Sequence, residues 1–150
     1  MKTALQKLWV TLLAVASLVA CGSPEPMTDD EATMWVAAYS PERIDMDATI
    51  RIEATDSLIA HLDTTRSLEK VFKFTPSVNG KAHYVDGGRF IDFVPEKGSL
   101  KQGKQYNCRV NMSLLTAIDS LKAFSFDFVV EKRESRLADL RVSIDPDNVE

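Results

Sequence analysis

Two cysteines, two histidines and a few spaced acids are the side chains of this sequence with the types that do chemistry. A zinc centre needs three or four convergent nitrogen or sulfur ligands. His61 and His83 are far apart, and neither has a second histidine or a cysteine at ligand spacing. Each reads as an ordinary surface or strand residue, and no metal is expected. Asp45-Met46-Asp47 and Asp145-Pro146-Asp147 offer oxygens to calcium, but both lack the glycine and distal glutamate of an EF-hand loop. They read as turns or caps. There is no G-x-S-x-G, no H-E-x-x-H and no phosphate-binding glycine loop. Asp86-Gly87-Gly88 reads as a hairpin, since no helix pattern follows it. Without a nucleophile paired to a base, neither catalysis nor a cofactor is expected. Trp35 and Tyr39, spaced to share one face of a strand, could stack together on a sugar ring, although aromatics at that spacing also build cores.

The context of Cys21 is more specific. The chain opens with Lys2 and Lys7, has no acid before Glu25, and carries a mostly apolar run from Leu8 to Ala20. That is the layout of a secretory signal, and it is short of the roughly 20 apolar residues a spanning helix needs. Leu18-Val19-Ala20-Cys21 resembles the lipobox of bacterial lipoproteins, in which the thiol is alkylated with diacylglycerol and becomes the new N-terminus. The resemblance implies a signal peptide over 1–20 and lipid attachment at Cys21. It places the protein in the bacterial cell envelope, on the outer membrane, facing the periplasm or the cell surface. A single acyl chain, at about 0.8 kcal/mol per buried methylene, anchors only marginally, and the lipoprotein cysteine carries several.

Gly22 to Glu31 holds two prolines and four acids and reads as part of a solvated tether over 21–32. Its acidity resembles the export signal that sends some Gram-negative lipoproteins to the cell surface. The 150-residue chain has a formal charge of −4. Loss of the signal, with two lysines and no acid, takes this to −6, so a basic stripe for nucleic acid is not expected. Without the signal, the tether and the charged tail, about 100 residues remain for one small domain. With Cys21 lipidated, Cys108 has no disulfide partner and reads as a buried structural thiol.

The elements that would position these residues are strands. Period-two alternation dominates from about Thr33 to Glu131. Ala48, Ile50, Ile52 and Ala54 share one face; so do Tyr106, Cys108, Val110 and Met112, and Phe124, Phe126, Phe128 and Val130. Shorter strands are predicted at Met34–Tyr39, Val71–Thr75, His83–Val85 and Arg89–Val94. Ser40-Pro41-Glu42 ends the first strand, Ser77-Val78-Asn79-Gly80 reads as an Asn-Gly turn, and Leu100 plugs one end of the core. Asp56–Lys70 admits either a short helix or an irregular strand. The prediction is an all-β fold over 33–131, an antiparallel Ig-like β-sandwich of about seven strands. A charged linker and the first strand of a further domain, or a strand folding back on the same sandwich, follow over 132–150.

Several motifs come in a telling order. Ser40-Pro41, Phe72-Lys73-Phe74-Thr75-Pro76, Leu100-Lys101-Gln102-Gly103-Lys104-Gln105-Tyr106 and Phe124-Ser125-Phe126 resemble the surface-layer type of bacterial Ig-like domain. A lipoprotein beginning with such a domain is similar to the N-terminus of the alpha-2-macroglobulin family of Bacteroides-type bacteria. The resemblance implies a first macroglobulin-like module of a protease inhibitor, partnered by its membrane, by further domains of a longer chain or by other envelope proteins. The family's thioester, Cys-Gly-Glu-Gln, has no counterpart: Cys21-Gly22 is followed by Ser23-Pro24, and Cys108 by Arg109-Val110. The expected function is therefore a non-catalytic module. The alternative is a stand-alone surface lipoprotein that binds glycan or another envelope component through Trp35 and Tyr39.

Overall fold

The computed structural model describes residues 25–132. The signal segment, Cys21 and the strand pattern of Leu137–Ile144 lie outside them. Eight strands form two four-stranded sheets, β1(Val36–Tyr39), β2(Arg43–Ile44), β3(Ile50–Ala54), β4(Phe72–Thr75), β5(Gly80–Val85), β6(Phe90–Pro95), β7(Gln105–Asn111) and β8(Ala123–Val130). One sheet has the order β1-β3-β6-β5 and the other β2-β8-β7-β4. This is the strand order of an immunoglobulin-type sandwich, with the first strand split between the two sheets. Most pairs are antiparallel, but β2 runs parallel to β8.

Alternation explains the core directly. β8 buries Phe124, Phe126, Phe128 and Val130 and exposes Ser125, Asp127 and Val129. β3 buries Ile50, Ile52 and Ala54, and β7 buries Tyr106, Cys108 and Val110. The Phe74 ring bridges the two sheets, 4.6 Å from that of Phe93, while within one sheet Tyr106 stacks on its cross-strand neighbour Phe128 at 5.5 Å. Leu100 is buried, as its position between two turns predicts.

Proline and glycine set the crossings. Pro41 cannot donate to a ladder, so the pairing ends at Ser40, whose N–H donates to Arg51 O at 2.9 Å and whose Oγ accepts from Arg51 N at 2.8 Å. The chain then leaves β1 for the opposite sheet as β2. Asn79-Gly80 does not form the expected hairpin turn, because β4 and β5 belong to different sheets. Its glycine serves close packing instead: a Cβ on Gly80 would collide with the Val94 carbonyl oxygen and the Phe93 ring. Asp86-Gly87-Gly88 is the expected hairpin, with all three residues at positive φ.

Two further local expectations are corrected, and one open choice is decided. The tether does not run to residue 32. Met27 N donates to Ala123 O and Ala123 N to Glu25 O, so Pro26 sits beside β8 where its missing N–H is not needed. Thr28 then caps α1(Asp29–Trp35) in a capping box with Glu31. Three acids in the first turn suit the positive helix end. Met34 and Trp35 consequently belong to this helix, and β1 begins only at Val36. In the ambiguous stretch, Thr55 caps a second helix, α2(Asp56–His61), which buries Leu58.

Candidate functional site

α1, α2, the hairpin at Asp86–Gly88 and a 3₁₀ turn at Met112–Leu114 gather at the pole where β8 starts. α1 is held there by several contacts. Thr55 Oγ1 donates to Met34 O at 2.7 Å, and Lys122 Nζ reaches Glu31 Oε1 at 2.9 Å. The Thr28 N–H donating to Glu31 is the main cause that holds the Glu31 carboxyl below its ordinary value, with Lys122 second. The Lys122 ammonium is pushed up by its bond to Glu31. Between α1 and the loop before β8 lies a shallow depression of about 240 Å³, with Met27, Met34, Trp35 and Leu121 as its apolar lining and the Glu31–Lys122 pair at its rim.

Trp35 is therefore a half-buried residue of a helical pole. Its ring meets His61 edge-on at 5.8 Å, and His61 Nδ1 donates to Ser57 O at 2.8 Å. Tyr39 lies on β1, beyond an irregularity in the β1–β3 register. Its ring packs against Phe124 and Phe126 at 5.1 and 4.9 Å, closing the side of the sandwich. The depressions it lines are different ones, in company with Ser40, Pro41 and Phe90 or with Glu42 and Asp127. The two aromatics do not make one platform, because the helix end removes Trp35 from the strand whose alternation would have aligned them.

On the outer face of the sheet that holds β1, Arg51 donates from Nε and Nη2 to the two oxygens of Asp92, each at 2.7 Å, and lies 4.7 Å over the Phe90 ring. Both Asp92 oxygens are thus engaged by a guanidinium, an arrangement suited to joining β3 and β6. His83 stands opposite Asp92 in the β5–β6 register and is exposed. Asp45 takes turn duty, accepting from Ala48 N; Asp145 and Asp147 lie outside the described residues. Among the described residues, no group of three or more His, Cys, Asp or Glu side chains is placed to hold a metal ion. Cys108 is fully buried, and desolvation pushes its thiol far above the ordinary range, which suppresses the thiolate.

The far pole is built differently. The Tyr106 hydroxyl accepts from Lys101 N at 3.0 Å, closing the turn before β7. This is the tyrosine corner of immunoglobulin-type folds, two residues before the position of Cys108. Beside it, Gly103 N donates to Val130 O, Val130 N to Lys104 O, and Glu131 N to Ile44 O.

Reading the sequence as strands missed the grouping of Met27, Glu31, Met34, Leu121 and Lys122. The available signal was Thr28-x-x-Glu31, a capping-box spacing ahead of Ala32 and Trp35. Arg51 and Asp92 carry no such signal, since only the β3–β6 register brings them together. No helix among the described residues is long and apolar enough to cross a membrane. No protein-family model and no curated protein matches this chain.

Proposed function

We propose that this chain is a non-catalytic Ig-like module of a bacterial lipoprotein, anchored through lipid on Cys21 to the outer membrane. In the fuller form of this reading, it is the membrane-proximal unit of a macroglobulin-type protease inhibitor. The observation that carries the proposal is where the chain joins and leaves the sandwich. Glu25 and Met27 bond to Ala123 at the start of β8, while Glu131 follows the end of the same strand. The seven residue steps of β8, from Ala123 to Val130, span about 23 Å of extended strand. A module threaded this way adds its length in series, holding whatever follows it clear of the anchor. The charge run beginning at Glu131 and Lys132 suits a solvated joint beyond it.

The anchor is tested with Cys21→Ala in cells supplied with labelled fatty acid. The expected outcome is loss of labelling and release of the chain from the membrane fraction. A variant that remains labelled and sediments with the membrane overturns the proposal. The glycan-binding alternative draws no support from the geometry, since Trp35 and Tyr39 line separate depressions.

A further inference from the structure

We infer that the α1 pole docks on a zwitterionic lipid surface, with Met34 and Trp35 entering the boundary between headgroups and acyl chains. This rests on the lipid attachment proposed for Cys21 and adds to it an orientation. Gly22, Ser23 and Pro24 alone separate Cys21 from Glu25. Those four steps span at most roughly 14 Å when fully extended. Glu25 and Met27 are bonded to Ala123, so an anchored Cys21 holds the start of β8, with α1 beside it, close to the bilayer.

What the short tether brings there is apolar. Met34 is 61% exposed, the highest value among the large apolar side chains described. Trp35, Met27 and Leu121 extend it into the shallow depression. Tryptophan favours the membrane interface because its ring is apolar while its N–H seeks a polar partner. The acid inside the patch, Glu31, is matched by Lys122. Around the patch the balance is negative, with Glu25, Asp29 and Asp30 all exposed. Anionic headgroups would meet that rim with repulsion, so the surface suited to this pole is zwitterionic. A patch of this size does not anchor a protein by itself. Its effect is to orient one, turning the end of β8 away from the membrane.

The test uses the full chain, isolated with its lipid from bacterial membranes and reconstituted into phosphatidylcholine vesicles with brominated acyl chains. Trp35 is the only tryptophan once Trp9 leaves with the signal, so its emission reports depth directly. Docking predicts that Trp35 loses most of its emission relative to unbrominated vesicles. Replacing half of the phosphatidylcholine with phosphatidylglycerol that carries the same brominated chains should restore much of it. Met34→Glu, at an exposed position, should also restore emission while the protein still floats with the vesicles. Flotation without quenching overturns the docking and leaves the anchor standing. Equal quenching in Met34→Glu, or quenching that grows with phosphatidylglycerol, overturns it as well. A chain that carries no lipid and does not float overturns the anchor, and the docking with it.

Discussion

At the pole where β8 ends, a buried leucine, a tyrosine hydroxyl closing its own turn and a glycine pressed against Val94 fix the backbone from inside. At the pole where β8 begins, α2 and the 3₁₀ turn bury Leu58, Met112 and Leu115, but α1 itself is held by an exposed capping box, the Glu31–Lys122 ion pair and the Thr55 side chain. The first set is centred on the buried Leu100 and Tyr106, whereas the hydrogen bonds of the α1 cap and of Thr55 lie at the surface. The difference teaches that the ends of one small sandwich need not be equally rigid. The far pole is built as a fixed joint, whereas α1 is the element expected to yield first.

That contrast is broken most severely at Gly80. Gly80→Ala forces a methyl group against the Val94 carbonyl oxygen and the Phe93 ring, and overpacking of this kind costs about 3 kcal/mol. Urea unfolding should show a large fall in the midpoint. A neutral result would mean that the β5–β6 edge is looser than its geometry implies. Next comes Tyr106→Phe, which strands the Lys101 N–H at a cost of about 2 kcal/mol. The expected signature is a lower midpoint with an unchanged slope.

The α1 pole should respond more weakly. Thr28→Ala removes the cap of α1, worth about 1 kcal/mol. Hydrogen exchange should accelerate in α1 while amides of β7 keep their protection. Equal acceleration in both would erase the distinction between the poles.

The smallest effect belongs to the Glu31–Lys122 pair. The Glu31 carboxyl is lowered from 4.5, chiefly by the Thr28 N–H and then by Lys122. Its contribution is therefore full above the unfolded value and fades as pH falls through the lower, folded one. Lys122 is raised from 10.5 by Glu31, so its share is full below that value and lost as pH rises past the folded one. Lys122→Ala should lower the melting temperature by less than Thr28→Ala at neutral pH. The two chains should converge in acid and in strong alkali. A difference independent of pH would assign Lys122 a packing role.

The sequence makes this contrast legible unevenly. β3, β7 and β8 are readable because each has one wet and one dry face, and alternation records burial residue by residue. The tyrosine corner also leaves a trace, the Leu100-x-x-Gly103-x-x-Tyr106 spacing, whose physical meaning emerges only with the Lys101 N–H in place. The α1 pole is harder to read. Pro26 and a cluster of acids look like a solvated tether, yet Pro26 sits where no donor is required and the acids occupy the first turn of a helix. β2, of two residues and parallel to β8, is too short to show any period. Trp35 and Tyr39 do not align for a related reason: a helix end between them changes the direction in which successive side chains point. The Arg51–Asp92 link depends on register between distant segments, which local patterns do not encode.

The anchor remains the central claim, and the most direct measurement of it is the intact mass of the mature chain recovered from bacterial membranes. A lipid-anchored Cys21 requires a chain that begins at Cys21 and carries the added mass of a diacylglyceryl group and its acyl chains. A mass that begins at Met1, or one that begins at Cys21 with an unmodified thiol, would contradict it.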